Sequence, residues 1–403
     1  MQTQSREPPP VTRLILDAAG DRAPGMSIDR IARFLAKTSP QTPCLVVDLD
    51  IVAENYRRLE GAFPFAAIYY AVKANPAREI LDVLSRLGSR FDAASIYEVD
   101  DCLSLGIDAE RLSYGSTVKK SRDIVRAFAG GVRLFAVDSE AELLKLAEAA
   151  PGAEIFCRIL TSGQGAEWPL SRKFGCEIEM AGSLLRQARD LGLVPGGVSF
   201  HVGSQQGDPE QWDIAIGETA RLFKKLDTSG IALRSINLGG GFPARYRRDV
   251  PPIEVYAEAI DRSLTRHFGV HRPEIVLEPG RGIVGDAGII RSEIVLISQK
   301  GYGEGRRRWI YLDIGKFGGL PETIGEAIQY RFRTPHDGKP TGPIVLAGPT
   351  CDEVDILYEQ AGYELPLDLA IGDQIDILST GAYTASYASV GFNGFPPLKQ
   401  YFV

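Results

Sequence analysis

Cysteine and histidine are scarce in this sequence, and neither residue type clusters. The 403 residues include five cysteines and four histidines, and no two cysteines have the Cys-x-x-Cys spacing. A small, odd number of scattered cysteines is typical neither of a disulfide framework nor of a zinc site. The sequence therefore predicts no disulfide framework and no bound metal.

Long apolar runs and basic tracts are also lacking. No run of about 18 apolar residues is present, as a membrane span would require, and residues 1–10 are polar and proline-rich without the apolar centre of a signal peptide. The formal net charge is −7, and no basic tract offers a binding surface for a nucleic-acid backbone. We expect a cytoplasmic protein that binds neither nucleic acids nor membranes.

A single lysine follows an apolar, aromatic strand. Residues 65–72 have almost no polar break, which is typical of a parallel strand buried on both faces. We predict that the next residue, Lys73, is a buried amine whose pKa is lowered by desolvation, as suits a lysine that condenses with a carbonyl such as that of pyridoxal phosphate. A strand-end lysine whose head group reaches solvent explains this stretch equally well.

Predicted strands and helices alternate between residues 44 and 284. Eight of the strands are followed by small, polar or glycine-rich residues, namely 68–73, 90–94, 112–114, 134–137, 154–160, 198–202, 235–238 and 274–277. Eight such units over about 240 residues have the size and pattern of a TIM-type (β/α)8 barrel, a fold of the α/β class. Asn75, before a proline, and Ser95 are predicted to cap two of the helices.

A different pattern begins after about residue 285. Segments of alternating β-type residues predict a mostly antiparallel β domain. An amphipathic segment at 28–35 precedes the first barrel strand and needs an apolar surface to cover it. We therefore predict three parts: residues 1–43 packing with the β domain, a barrel over 44–284, and the β domain over 285–403.

Chemically unusual residues follow the predicted strand ends, where a barrel of this type binds its ligands. They are Lys73, Asp92, Arg158, His201, Gly239-Gly240-Gly241 and Glu278-Pro279-Gly280-Arg281. The triple glycine and Arg281 together favour a phosphate site, because glycine amides approach an anion closely and arginine forms charge-assisted bonds with it. Either alone is more simply a tight turn, and His201 alone is more simply a core residue.

A thiol and a carboxylate are adjacent at Cys351-Asp352, shortly after Gly348-Pro349. A free cysteine is usually just a small buried apolar residue. The turn predicted after Gly-Pro would instead present both side chains at a surface, which suggests a chemical role.

Eight motifs now occur in one order between residues 70 and 395: Tyr70-Ala71-Val72-Lys73, Phe91-Asp92-Ala93-Ala94-Ser95, His201-Val202-Gly203-Ser204, Gly239-Gly240-Gly241-Phe242-Pro243, Glu278-Pro279-Gly280-Arg281, Gly348-Pro349-Thr350-Cys351-Asp352, Gly381-Ala382-Tyr383 and Phe392-Asn393-Gly394-Phe395. Any one of them is weak evidence. As a set, they resemble the pyridoxal-phosphate decarboxylases of the alanine-racemase-like fold (fold type III), specifically the ornithine/lysine decarboxylase group.

The resemblance implies how the cofactor is held. Lys73 would form a Schiff base with pyridoxal phosphate, Glu278 would pair with the pyridine nitrogen, and His201 would stack on the ring. Asp92 and Arg158 would support the same site. The phosphate would be held by Ser204, Gly241, Gly280, Arg281 and Tyr383.

The resemblance also implies a shared site. Cys351 would protonate the substrate's Cα, arriving from the neighbouring subunit of a homodimer with two shared active sites. Lys173 and Asp355 match a pair that links subunits in relatives, and the loop 161–170 is a candidate lid.

The far end of the substrate is addressed by acidic residues. Asp352 suits a distal ammonium and would repel a distal carboxylate, which disfavours diaminopimelate. Relatives supply a second acid, for which Asp313, Glu322 and Glu326 all remain candidates. Phe392 is a further candidate at the substrate end.

We therefore predict a carboxy-lyase that converts L-ornithine to the diamine putrescine, with a role in polyamine biosynthesis. Lysine, or lysine and ornithine together, is the main alternative substrate, because one methylene is worth only about 1–3 kcal/mol in a pocket; arginine and diaminopimelate follow. An amino-acid racemase and a non-catalytic regulator on the same fold are the alternatives of a different class.

Overall fold

The computed structural model describes residues 25–170, 172–301 and 303–403. Its helices are α1 Gly25–Thr38, α2 Leu49–Ala62, α3 Arg78–Arg86, α4 Ile96–Ser104, α5 Ser121–Ala129, α6 Glu140–Ala149, α7 Ile178–Asp190, α8 Trp212–Asp227, α9 Ile253–Phe268 and α10 Arg281–Val284. Its strands are β1 Cys44–Val47, β2 Ala66–Ala71, β3 Arg90–Ala93, β4 Leu112–Tyr114, β5 Leu134–Val137, β6 Glu154–Arg158, β7 Ala166–Trp168, β8 Val194–Ser199, β9 Ser204–Gln206, β10 Ser235–Asn237, β11 Glu274–Leu277, β12 Gly288–Lys300, β13 Arg307–Leu312, β14 Phe332–Arg333, β15 Thr341–Ala347, β16 Ile356–Tyr358, β17 Glu364–Pro366, β18 Gln374–Leu378 and β19 Lys399–Phe402.

Eight parallel strands form a closed barrel in the order β2, β3, β4, β5, β6, β8, β10 and β11, and β11 pairs with β2 to close it. Each overlaps one of the eight predicted strands, so the predicted (β/α)8 barrel is confirmed. Phe91 and Phe135, on β3 and β5, are fully buried. Burial on both faces of the sheet explains why the barrel strands are nearly continuous apolar runs.

The second domain is a nine-stranded sheet built from β1 and the strands β12 to β19. Most of its pairs are antiparallel, as predicted; the pairs β1–β19 and β13–β15 are parallel. The 13-residue β12 organises it, because its first half pairs with β1 and β18 and its second half with β13. β1 therefore belongs to this sheet, so the barrel begins after the boundary predicted at residue 44.

The N-terminal helix packs on the same sheet. Ile31 and Leu35 of α1 lie in an apolar cluster with Cys44 and Val46 of β1 and Ile289 of β12. The polar lead predicted for the start of the chain lies outside the described residues. No helix in the described part of the chain has the length and apolar character needed to cross a membrane.

The segment around Lys73 differs locally from the prediction. β2 ends at Ala71, and Val72–Ala74 form a single 3-10 turn that carries Lys73. Helix α3 begins only at Arg78, because the Asn75 side chain accepts a hydrogen bond from the amide of Ala77 in a short turn instead of capping the helix. The side-chain nitrogen Nδ2 of Asn75 donates a hydrogen bond to the backbone carbonyl of Gly381, in the sheet domain.

Candidate active site

Lys73 lies beside Asp92, with 3.4 Å between Nζ and Oδ2, and its side chain is 45% exposed. Desolvation lowers the pKa of Lys73, but Asp92 and other acidic groups, including Glu278, raise it by more, so the pKa is above its ordinary value. The predicted buried amine with a lowered pKa is therefore wrong, because the surrounding carboxylates outweigh desolvation. Lys73 is an accessible, charged amine at the mouth of the barrel.

The sheet domain fixes the backbone that carries Lys73. Ser386 Oγ donates to the carbonyls of Lys73 and Ala74, at 3.1 and 3.2 Å. The amide of Tyr383 also donates to the carbonyl of Ala74, at 2.8 Å. The turn that carries Lys73 is thus bonded to the sheet domain as well as to the barrel.

Asp92 is buried at the end of β3, and Ser113 Oγ donates to its Oδ1 at 3.1 Å. The space for its carboxylate depends on Gly115, because a Cβ there would lie 1.9 Å from Asp92 Oδ1. The fold therefore reserves room for a carboxylate that faces the lysine.

Glu278 is the first residue after β11, and its carboxylate is shielded from solvent. Burial, with the charge of Asp92, raises the pKa of Glu278 to about 7, although Lys73 and a hydrogen bond from Asn237 oppose this. Asn237 Nδ2 donates to Glu278 Oε1 at 2.5 Å, and Asn237 Oδ1 accepts from the amide of Gly239 at 2.9 Å. The amide of Gly239 fixes which end of the Asn237 side chain faces Glu278.

Asn237 was not predicted from the sequence as a residue of the site. The available signal was a polar residue near the end of a predicted strand, two positions before the first of the three glycines.

His201 and Arg158 line the same end of the barrel. Burial, together with the cations of Arg158 and Lys73, lowers the pKa of His201 to about 3, so its ring is neutral. His201 Nδ1 accepts from the amide of Gly203 at 3.0 Å, which leaves the ring proton on Nε2. Burial also lowers the pKa of Arg158, whose guanidinium lies 5.3 Å from the ring of Phe174.

The triple glycine forms a tight cradle. Gly241 has φ of +99°, and a Cβ there would lie 2.5 Å from the carbonyl oxygen of Gly203; one on Gly240 would lie 2.5 Å from that of Glu278. Among the described residues, no acceptor takes the backbone amides of Gly240 and Gly241. Unpaired amides in such a cradle are typical of an anion site.

Arg281 begins α10 next to this cradle and is almost fully buried. It donates to Ser204 Oγ, to the Tyr246 hydroxyl and to both carboxylate oxygens of Glu322. The ring of Tyr383 lies 4.8 Å from its Cζ. Glu322, predicted as one candidate for the distal ammonium, thus contacts Arg281, the arginine predicted to bind the phosphate. Tyr246, which was not predicted from the sequence, contacts the same guanidinium.

The predicted substrate residues lie on the sheet domain. Cys351 is exposed, and its amide donates to Asn393 Oδ1 at 2.9 Å. Asp352 Oδ1 accepts from the amide of Val354 at 2.9 Å. The ring of Phe392 lies 4.4 Å from that of Phe317.

The two remaining acidic candidates each have partners within the sheet domain. Asp313 accepts hydrogen bonds from Ser292 Oγ and the amide of Glu293. Glu326 accepts from the amides of Glu359 and Gln360 through a single oxygen, Oε1.

The residues around Lys73 fit pyridoxal phosphate. They provide an amine beside a carboxylate, a buried carboxylate held by an amide, a neutral imidazole, and a glycine cradle with unpaired amides next to a buried arginine. Within the described ranges, by contrast, no hydrogen bond or ion pair joins Cys351 or Asp352 to Lys73, Asp92 or Glu278.

Known proteins are similar to this chain in sequence and in fold. Residues 49–285 match the family described as pyridoxal-dependent decarboxylase, pyridoxal binding domain. The chain is 34% identical to the lysine/ornithine decarboxylase of Selenomonas ruminantium over 91% of each protein, and 32% identical to mouse ornithine decarboxylase over 93% of this chain and 84% of that protein.

A solved structure agrees with this assignment. The lysine/ornithine decarboxylase of Vibrio vulnificus, complexed with putrescine, superposes with a TM-score of 0.82 at 29% identity, over 94% of this chain and 98% of that one. The family model matches more than half of this chain, and the residues of the site fit the cofactor. The chain therefore belongs to the pyridoxal-dependent decarboxylases and is an enzyme whose cofactor is pyridoxal phosphate.

Proposed function

We propose that this enzyme decarboxylates a basic L-amino acid, with L-ornithine as the preferred substrate and putrescine as the product. The observation that carries the proposal is the acidic side chain beside the exposed thiol in Cys351-Asp352. Oxygen Oδ2 of Asp352 accepts no hydrogen bond from the described residues, so it is free to bind a distal ammonium. Relatives named as lysine/ornithine and ornithine decarboxylases support this substrate class.

L-Lysine is the second candidate substrate, because one relative is named a lysine/ornithine decarboxylase and because lysine and ornithine differ by one methylene. A second acid would strengthen either interaction. Asp313 and Glu326 both remain candidates, because each accepts its hydrogen bonds through a single oxygen, whereas both carboxylate oxygens of Glu322 are engaged with Arg281.

The barrel residues that fit the cofactor would each have a different role in this reaction. Bound pyridoxal phosphate supplies an electron sink for the electron pair left when carbon dioxide departs. Lys73 would hold the cofactor, and Asp92 beside it would stabilise the amine's charge. Glu278, kept ionised in part by Asn237, would hold a proton on the pyridine nitrogen. The neutral ring of His201 would cover one face of the cofactor.

The product forms when Cα gains a proton in place of the carboxylate. We assign this proton to the Cys351 thiol. Cys351 is exposed, and no hydrogen bond or ion pair joins it to the described barrel residues of its own chain, so the proposal includes a homodimer in which each subunit's Cys351 and Asp352 complete the partner's site. The pairing of Lys173 with Asp355 across that interface and the expected cytoplasmic location stay predictions.

The test is carbon dioxide and diamine release from the enzyme loaded with pyridoxal phosphate, with ornithine, lysine, arginine and diaminopimelate supplied separately. We expect the highest kcat/KM with ornithine and a lower value with lysine. A preference for arginine would keep the acidic site but require a longer pocket. A preference for diaminopimelate would contradict the role of Asp352.

A further inference from the structure

Glu322 belongs to the sheet domain but meets the barrel at Arg281. The two side chains are 7% and 3% exposed, so the ion pair is excluded from solvent. Glu322 Oε1 lies 2.5 Å from Arg281 Nη2, and Oε2 lies 2.7 Å from Nη1. A bidentate, charge-assisted pair of this kind fixes the plane of a guanidinium as well as its position.

Every donor of the Arg281 guanidinium is engaged. Nη1 donates to the Tyr246 hydroxyl at 2.7 Å in addition to Glu322. Nε and Nη2 donate to Ser204 Oγ, at the longer distances of 3.4 and 3.2 Å. Five N–H groups therefore have partners, and the short bonds lie on the edge that faces Glu322 and Tyr246.

The weakly bonded Nε–Nη2 edge consequently points toward Ser204. Ser204 is one of the residues assigned to the cofactor phosphate, together with the glycine cradle. Without Glu322, the long arginine side chain could rotate, and its buried charge would lack its acidic partner.

The segment that carries Glu322 is itself anchored. The carbonyl of Glu322 accepts from the amide of Ile328 at 3.0 Å. The hydroxyl of Thr323, the next residue, donates to the carbonyl of Leu320 at 2.7 Å. Glu322 thus lies in a turn that is held by hydrogen bonds within its own segment.

We propose that Glu322 is a positioning residue that orients Arg281 for the phosphate of pyridoxal phosphate, and that it does not bind the distal ammonium of the substrate. The proposal rests on the assignment of Arg281 to the phosphate. It makes the affinity for the cofactor depend on a carboxylate of the sheet domain.

The test is the dissociation constant of pyridoxal phosphate, measured by absorbance titration of cofactor-free wild-type enzyme and of Glu322→Gln. We expect binding to weaken roughly 10- to 100-fold, the range seen when partners that orient a ligating group are removed. Inorganic phosphate, titrated as a competitor, should weaken as well. The matched control is Glu364→Gln, an exposed acid of the same domain that bonds Thr341.

Two further variants separate positioning from general damage. Glu322→Asp keeps the charge on a shorter side chain and should recover part of the affinity. In an Arg281→Met background, Glu322→Gln should have little additional effect, because its partner is already gone. At saturating cofactor, the ratio of KM values for ornithine and lysine should not change in Glu322→Gln.

Several outcomes would overturn the inference. Unchanged or tighter cofactor binding in Glu322→Gln, with weaker binding in Arg281→Met, would remove the role of Glu322 but keep Arg281 at the phosphate. Unchanged binding in Arg281→Met would refute the phosphate assignment and the inference together. An altered ornithine-to-lysine KM ratio would return Glu322 to the distal end of the substrate.

Discussion

The cofactor half and the substrate half of the site are built differently. The cofactor half is formed by barrel strand ends, and its charged groups hold one another: Lys73 beside Asp92, Glu278 bonded to Asn237. The substrate half is the exposed turn with Cys351 and Asp352, whose described bonds are to its own domain. The difference teaches that one chain assembles the residues that fit the cofactor but leaves Cys351, the proposed proton donor, exposed, where the proposed dimer would place it against a neighbour.

The largest effect should come from the centre of the cofactor half. We expect Lys73→Ala to lower kcat on the order of 10³-fold or more, because no other described amine lies beside Asp92. Product release and the visible absorbance of the bound cofactor measure this loss. Lys120→Ala, which removes an exposed lysine at the start of α5, is the control. Full activity with retained absorbance in Lys73→Ala would contradict the role of Lys73.

Mixing variants from the two halves tests whether neighbours share sites. Lys73→Ala and Cys351→Ala should each be nearly inactive alone. After dissociation and random reassociation, half of the dimers are mixed and each holds one intact site, so about a quarter of the wild-type activity should return. Diamine release before and after mixing measures it. No recovery, with mixed dimers demonstrated by tagged subunits, would show that the sites are not shared.

Asp352→Asn probes the substrate half and leaves Cys351, the proposed proton donor, unchanged. Loss of a charge-assisted bond to the distal ammonium should raise KM for ornithine roughly 10- to 100-fold and change kcat less. Steady-state kinetics with ornithine and lysine measure the effect. Glu353→Gln, at the next and exposed acid, controls for the loss of a negative charge nearby. An unchanged KM would remove Asp352 from the binding site.

The smallest effect should come from a partner inside the cofactor half. Asn237 stabilises the ionised form of Glu278, whose pKa is raised to about 7, so Asn237→Leu should raise that pKa further. Glu278 would then ionise only at higher pH, and the acid side of the kcat profile should move up by about one pH unit. Ser235→Ala, on the same strand, is the control. A profile that stays in place, or moves to lower pH, would contradict this role.

Much of the fold could be predicted because it follows from local patterns. The eight barrel strands are short apolar runs followed by small or polar residues, and each was found. β1 was assigned to the wrong domain, because its partners on β12 and β19 lie more than two hundred residues further along the chain. No local pattern in four apolar residues can distinguish the two sheets.

The site was predictable as residue types but not as partnerships. The positions of Lys73, Glu278 and Arg281 after predicted strands made them candidates, to which the resemblance added roles. The structure brings Lys73 and Glu278 to one end of the barrel, with Arg281 by the glycine cradle. Asn237 and the pairing of Glu322 with Arg281 were not predicted, since a hydrogen bond between residues far apart in sequence depends on three-dimensional packing. The raised pKa of Lys73 is such a result, because it reflects the sum of several neighbouring charges.

The hydrogen bonds between the sheet domain and the turn that carries Lys73 have a consequence for protein engineering. Ser386 and Tyr383 hold the carbonyls of residues 73 and 74 from the sheet domain, and Asn75 reaches back to Gly381. The family match covers only residues 49–285, yet a barrel cut out along that boundary would lose the donors that set the geometry of its own lysine. The barrel alone therefore lacks part of what holds Lys73 in place. A design that transfers this site to another protein should include residues 381–386, or equivalent donors, with the barrel.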